Sequence, residues 1–309
     1  MALIEKYINP FTDFGFKKLF GTELNKDLLI DFLNEVVLPK QRKIKELTYR
    51  KNEHIGNTEL DRKAIFDLYC IGADGERFIV EMQKAKQNYF KDRSVFYATF
   101  PIQEQAQRGD WDYKLAEVYT VGVLDFVFGD DITQVKKGSK SKQTDKNEVR
   151  HEVKLKDQNC QVFYDKLTFI YLEMPNFTKT EEELETSYDK WLYVLKYLPT
   201  LTKRPLKLQE RIFQRLFEAA EIAKFSPEEK EQYEESLKSY RDLKNVIDTA
   251  FDDGENKGKI EGIIEGKIEE KIENIKKALI RKKLTVEEIA EDFNATIDFV
   301  LQIKKENGL

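Results

Sequence analysis

The chain has 309 residues, is 40% hydrophobic and 35% charged, and carries a net charge of −5. That apolar share builds one large core or two modest ones, and the negative balance excludes a globally basic nucleic-acid binder, so any DNA contact has to come from a local patch. No apolar run reaches the length of a membrane span, and Met1-Ala2-Leu3-Ile4-Glu5-Lys6 lacks the pattern of a signal peptide; a cytoplasmic protein with no membrane partner is expected.

Asn9-Pro10-Phe11-Thr12 punctuates the start, with Thr12 placed to cap a helix beginning at Asp13. Asp13 suits the helix dipole as an ordinary first-turn acid, and Lys17 and Lys18 either solvate that helix or meet phosphate. A second helical run, 25–37, carries Leu28, Leu29, Phe32, Leu33 and Val36 before Pro39. Ile44, Leu47 and Tyr49 suggest a first strand. Residues 53–57 read as a loop whose His54 is a surface residue rather than a base.

The stretch 65–83 reads as two apolar strands joined at Ala73-Asp74-Gly75. A two-residue turn would scatter its polar groups over both faces. A three-residue loop with Gly75 left-handed sets Asp67 opposite Glu81, Phe66 opposite Met82, Leu68 opposite Val80 and Cys70 opposite Phe78. The apolar match favours the longer loop, and Gln83 then shares a face with the two acids. Facing carboxylates in apolar strands repel and are costly to desolvate, a conflict that a divalent cation removes. Oxygen ligands suit Mg²⁺. The bland alternative is a solvated sheet face that binds nothing.

A helix over about 88–108 follows, with Phe90, Val95, Phe96, Phe100 and Ile102 as its buried stripe and Pro101 as a point of deformation. Arg93 and Tyr97, four apart, share one of its faces. Residues 118–128 are almost continuously apolar and β-rich, as in a strand covered on both sides. Asp125 on that run is either near the site or at a surface-facing end.

Asp-(x)13-Glu-x-Gln across a hairpin resembles the PD-(D/E)XK nuclease core, with Phe66-Asp67 for Pro-Asp and Gln83 where that motif has Lys. The ordered blocks Thr12-Asp13-Phe14-Gly15-Phe16-Lys17-Lys18-Leu19-Phe20-Gly21, then Glu81-Met82-Gln83, then Phe90, Arg93 and Tyr97 resemble the Rpn family of recombination-promoting nucleases, often labelled PD-(D/E)XK family transposases. The resemblance spans about 9–128 and implies an α/β fold, a small mixed sheet flanked by helices, over residues 1–175. It implies a Mg²⁺-dependent endonuclease acting on double-stranded DNA, with Mn²⁺ as a substitute. Asp67, Glu81 and the Met82 carbonyl would hold the metal, with Asp13 as an auxiliary acid, and Gln83 would orient water. Arg93, Lys17, Tyr97 and Gln105 would contact DNA. The competing expectation is a non-catalytic protein that keeps the fold and works in DNA binding or assembly through its C-terminal helices.

Residues 129–158 read as a polar hairpin insertion with Lys136, Lys137, Lys140, Lys142 and Lys146, and the apolar run from Cys160 to Met174 as a strand. Cys70 and Cys160 both fall in strand-like runs, so buried thiols are expected. A helical lobe, 176–250, opens with Thr180-Glu181-Glu182-Glu183 as the capping box of a helix containing Trp191 to Leu198, continues with a helix over 207–225, and starts a third at Ser226-Pro227. In 251–283, Gly254, Gly258, Gly262 and Gly266 recur every four residues, interleaved with isoleucines and glutamates. Glycine weakens helices, so this pattern fits either a helix that self-associates over 254–275 or a partly helical linker. Residues 284–309 resemble a small helix-turn-helix, with Thr285 and Thr296 as caps and few side chains suited to reading bases.

Overall fold

The computed structural model describes residues 5–38, 43–50, 53–54, 64–106, 111–128 and 148–308. Helix α1 (Asp13–Phe20) starts where Thr12 Oγ1 accepts the Gly15 N–H at 3.0 Å, and buries Phe16, Leu19 and Phe20. Helix α2 (Lys26–Phe32) widens into a π-turn over Leu33–Val37. Strand β1 (Leu47–Tyr49) follows, then a small antiparallel pair, β2 (Glu53–His54) with β3 (Ala64–Ile65). His54 therefore belongs to a strand rather than to the expected loop.

Strands β4 (Leu68–Gly72) and β5 (Arg77–Gln83) form the antiparallel hairpin, with Leu68 opposite Val80 and Cys70 opposite Phe78. The loop between them has three residues: Gly72 N–H bonds Glu76 O at 2.8 Å, and Gly75 takes φ 87°, a conformation that strains any L side chain. Phe66 departs from expectation. The ladder begins only at Leu68, and Phe66 packs edge-to-face against Tyr69, Tyr97 and Phe100, within the cluster on the opposite face from Met82. An aromatic pocket there outweighs continued strand alternation.

Helix α3 (Phe90–Gln103) covers that second face and leads to β6 (Val118–Leu124). The expected buried stripe is corrected, since the helix buries Phe90, Ser94, Ala98 and Pro101 and leaves Val95 and Phe96 exposed. All seven β6 residues are buried, because β6 runs parallel to both β5 and β8 in the middle of the sheet. Strands β7 (Arg150–Lys156) and β8 (Val162–Glu173) complete a six-stranded mixed sheet in the order β1-β4-β5-β6-β8-β7. Two expectations are corrected here. Residues 150–156 of the supposed insertion are an edge strand of the main sheet, since their backbone pairs with β8. Cys160 is exposed in the β7–β8 turn at φ 62°, whereas Cys70 is buried. The five lysines at 136–146 lie outside the described residues.

The Thr180–Glu183 capping box forms but heads only a short 3₁₀ turn; helix α4 (Ser187–Tyr197) has its own box from Thr186 and Asp189. Trp191 of α4 is fully buried against Phe20, Phe32 and Phe213, the last from helix α5 (Arg211–Ala220), and its indole N–H bonds Asp31 at 2.7 Å. These helices share one core with Leu68, Cys70, Phe78, Val80 and Met82 from the sheet. Helix α6 (Pro227–Arg281) runs unbroken for 55 residues from its cap at Ser226. The chain divides into two compact units, Met1–Lys244 and Asn245–Leu309. In the second, α7 (Val286–Asp292) and α8 (Ile297–Glu306), capped by Thr285 and Thr296, enclose a small core of Ile275, Leu279, Ile289, Ala290, Val300 and Ile303. No described helix is long and apolar enough to cross a membrane.

Candidate active site

Asp67 stands immediately before β4, and Glu81 lies near the end of β5. The hairpin register joins them directly: the Met82 N–H donates to Asp67 Oδ2 at 2.7 Å, and the Asp67 N–H donates to Glu81 Oε1 at 3.3 Å. The Asp67 carboxylate thus takes the place of a ladder carbonyl where the strand pairing stops. Beside Glu81 on β6 is Gly122, where an added Cβ would come within 3.0 Å of the Tyr171 ring and 3.5 Å of Phe90. A side chain there would have to push the Tyr171 ring aside by a few tenths of an ångström.

Burial pushes the Asp67 carboxyl above the usual range. The charge of Asp13 adds to this, while the Met82 N–H, Lys17 and Lys84 oppose it. Burial and the neighbouring charge of Asp67 push Glu81 up to about 8, against the pull of the Asp67 N–H and Arg93. Both acids resist ionisation in the metal-free protein because each is desolvated and they repel one another. A hard divalent cation between them would reverse both effects.

Arg93, on the first turn of α3, donates to the side-chain oxygens of Gln83 and Gln87 and lies over the Phe90 and Tyr97 rings at 5.3 and 5.7 Å. Gln83 is buried, with its Oε1 engaged by Arg93 and its Nε2 donating to Ala85 O at 3.0 Å. Tyr97 packs on Phe66 at 5.1 Å; burial first, then the charge of Glu81, raises its hydroxyl pKa. Asp13 and Lys17 form an exposed pair on α1 at 3.0 Å, near enough for both charges to reach Asp67. Gln105 is not brought to this group. It bonds the main chain of Pro101 and Ala116, twelve residues beyond Arg93 and hence roughly 18 Å further along the helix direction.

One contributor escaped the sequence reading. Lys84 acts on Asp67 and, with Asp13, Lys17, Lys18 and Leu68, lines a cavity of about 750 Å³ beside α1. Its only signal was a cation directly following Gln83. On the cavity's other side, the start of α6 contributes Glu229, which pairs with Lys18, and Glu235. Asp125 turns to α6 as well, accepting from the Tyr240 hydroxyl at 2.7 Å.

Among the described residues no group of three or more His, Cys, Asp or Glu side chains could hold a metal. Two carboxylates nevertheless suit Mg²⁺, which keeps several waters and borrows oxygens from substrate phosphate. The donor set fits the ion. A family model for PD-(D/E)XK nuclease family transposases matches residues 10–250. The chain belongs to that family. The six-stranded mixed sheet flanked by helices is its nuclease fold, and residues 10–250 take in all of the site just described. No curated protein and no solved structure matches this family member.

Proposed function

We propose that this chain is a metal-dependent DNA endonuclease of the recombination-promoting kind, with Mg²⁺ as its ion, Mn²⁺ as a substitute, and double-stranded DNA as substrate. The observation that carries the reading is the meeting of Asp67 and Glu81 across the hairpin, where burial and the charge of Asp67 hold the Glu81 carboxyl above its usual range. Asp67, Glu81 and the Met82 carbonyl would hold the ion, with Asp13 as an outer acid. When bound, the ion polarises the scissile phosphate and lowers the pKa of the attacking water.

The chain's own groups supply the rest. Arg93 holds a phosphate oxygen, its guanidinium kept in place by Gln83, Gln87 and the two rings. Gln83 cannot act as a base, but its amide has two N–H donors, and the one not given to Ala85 positions water. Lys17 and Lys84 draw the DNA backbone toward Asp67, and Tyr97 walls the site on the α3 side. Cytoplasmic residence is part of the same proposal. The test is nicking of supercoiled plasmid with Mg²⁺ or Mn²⁺. Glu81→Gln should lower the rate at least about a hundredfold with the fold intact by circular dichroism, and equal rates for variant and parent would overturn the reading.

A second reading, assembly, rests on α6. Ile260, Ile263, Ile264 and Ile268 are each about half exposed, and nothing lies within 4 Å of a Cβ added at Gly254, Gly258, Gly262 or Gly266. Lys259, Lys267 and Lys271 flank the isoleucine strip on one side, and Glu261, Glu265, Glu269 and Glu273 on the other. Two parallel copies therefore set lysines against glutamates, whereas antiparallel copies set like against like. Self-association through 254–275 is expected to be parallel. Ile264→Lys should reduce the solution mass to that of one chain; a parent already of single-chain mass would refute assembly.

A further inference from the structure

Parallel neighbours β5 and β6 end side by side, the Asp125 N–H bonding Gln83 O at 3.0 Å, so the segments that leave them also lie together. Residues 84–92 carry Lys84, Lys86, Gln87, Tyr89 and Lys91 into α3; residues 126–128 carry Phe126 and Phe128. Between them is a cavity of about 510 Å³ lined by Tyr89, Phe90, Phe126, Phe128, Lys86 and Lys91, among others. That volume lies in the range of small-ligand sites, roughly 300–1,000 Å³.

The walls are aromatic: Phe90 belongs to the core, Phe126 and Phe128 pack against it while staying partly exposed, and Tyr89 faces solvent. Phe126 and Phe128 are half-buried, set nearly perpendicular to one another at 6.0 Å. The Lys91 ammonium lies 5.1 Å from the centre of the Phe128 ring, which also packs edge-to-face on Tyr171 at 5.2 Å. Tyr89 is 80% exposed, and its backbone adopts φ 62°, a conformation a bulky residue rarely takes and one that is often kept at ligand sites. Gln87 and Asn88 add amide groups and Asp92 one carboxylate, against the two lysines. The cavity joins the candidate active site directly, since Arg93 bonds both Gln87 in its wall and Gln83 beside Glu81.

Ring faces with lysines between them suit a flat aromatic ligand attached to a phosphate. The geometry points to a subsite for an unpaired nucleobase of the DNA strand held at Asp67 and Glu81. In a duplex, base faces are covered by stacked neighbours, so only an extruded or single-stranded base can enter. The inference rests on the nuclease reading and sharpens its substrate: DNA with a locally unpaired strand next to the cut, rather than continuous duplex.

Binding measured in EDTA keeps the two proposals apart. Full-length protein is titrated into a fluorescently labelled single-stranded oligodeoxynucleotide and into a blunt duplex of the same length. Single-strand affinity should exceed duplex affinity by about tenfold, and Tyr89→Ala and Phe128→Leu should each cut it about five- to fiftyfold with duplex affinity nearly unchanged. Tyr89→Ala changes an exposed residue, so it remains informative if Phe128→Leu misfolds. Equal affinity of the parent for both DNAs overturns the subsite, as do variants that weaken both DNAs alike or neither. Displacement of the oligonucleotide by micromolar dAMP would also overturn it, in favour of a free-nucleotide site. A preserved single-strand preference without any metal-dependent cleavage defeats the hydrolytic reading alone.

Discussion

The β4–β5 hairpin and the middle of α6 are opposite solutions to placing a side chain where it is uncomfortable. The hairpin holds two acids in a desolvated pocket, one pushed up to about 8. The helix holds isoleucines in solvent, with Ile260 and Ile263 at 58% and 59% exposure. Their glycines differ too: Gly75 is demanded by a left-handed turn and Gly122 lies close under rings at 3.0–3.5 Å, while the α6 glycines meet nothing. In the hairpin the strain is set inside the fold, where a small bound ion would relieve it. On α6 only another macromolecule would relieve the cost.

Breaking the hairpin side should have the largest effects. Gly122→Val forces a branched side chain into Tyr171 and Phe90, and should destabilise by about 3 kcal/mol in urea unfolding; a change below about 0.5 kcal/mol would mean the rings move freely aside. Arg93→Ala removes the cation facing Glu81, and should slow plasmid nicking about 10–100-fold and move the alkaline rise of the pH–rate profile higher. An unchanged profile would place Arg93 outside the site.

The metal-free protein should also betray Glu81 through pH. Its folded pKa lies above the unfolded one, so the folded state binds the extra proton, and stability is fully present below about 4.5 and lost as pH rises through about 8. The loss should be on the order of 3–5 kcal/mol, read as urea midpoints between pH 5 and 9 in EDTA, and Glu81→Gln should flatten the slope. Identical slopes for parent and variant would show that Glu81 titrates normally. The smallest effect belongs to α6. Gly262→Ala should raise helix stability by about 0.5–1 kcal/mol, since no atom opposes the methyl group. If the glycines serve close approach of a second copy, the same variant should become more helical by circular dichroism yet assemble more weakly in sedimentation. Stronger assembly would assign the association to the isoleucines alone.

The site was partly legible in the residues. The apolar match of Leu68 with Val80 and Cys70 with Phe78 was enough to choose a three-residue loop, and that loop brings Asp67 to Glu81. The roles of their neighbours were not. Gln83 is tied to Arg93 from another element, and Lys84 acts on Asp67, relations that depend on where α3 and α1 dock.

By itself the sequence determined what adjacent residues negotiate among themselves: the caps at Thr12, Thr285 and Thr296, the Gly75 turn, the buried run of β6 and the family of the fold. Short-range hydrogen bonding and side-chain periodicity suffice for all but the last, which rests on the resemblance of the ordered motif blocks to a known family. Tertiary structure alone decided that Phe66 leaves the strand for the aromatic pocket, that residues 150–156 join the sheet, that Cys160 faces solvent, and that the Thr180 box heads only a short turn. Each of these outcomes depends on which distant surface is present to receive a side chain or complete a backbone ladder, and chain order does not encode that distance locally.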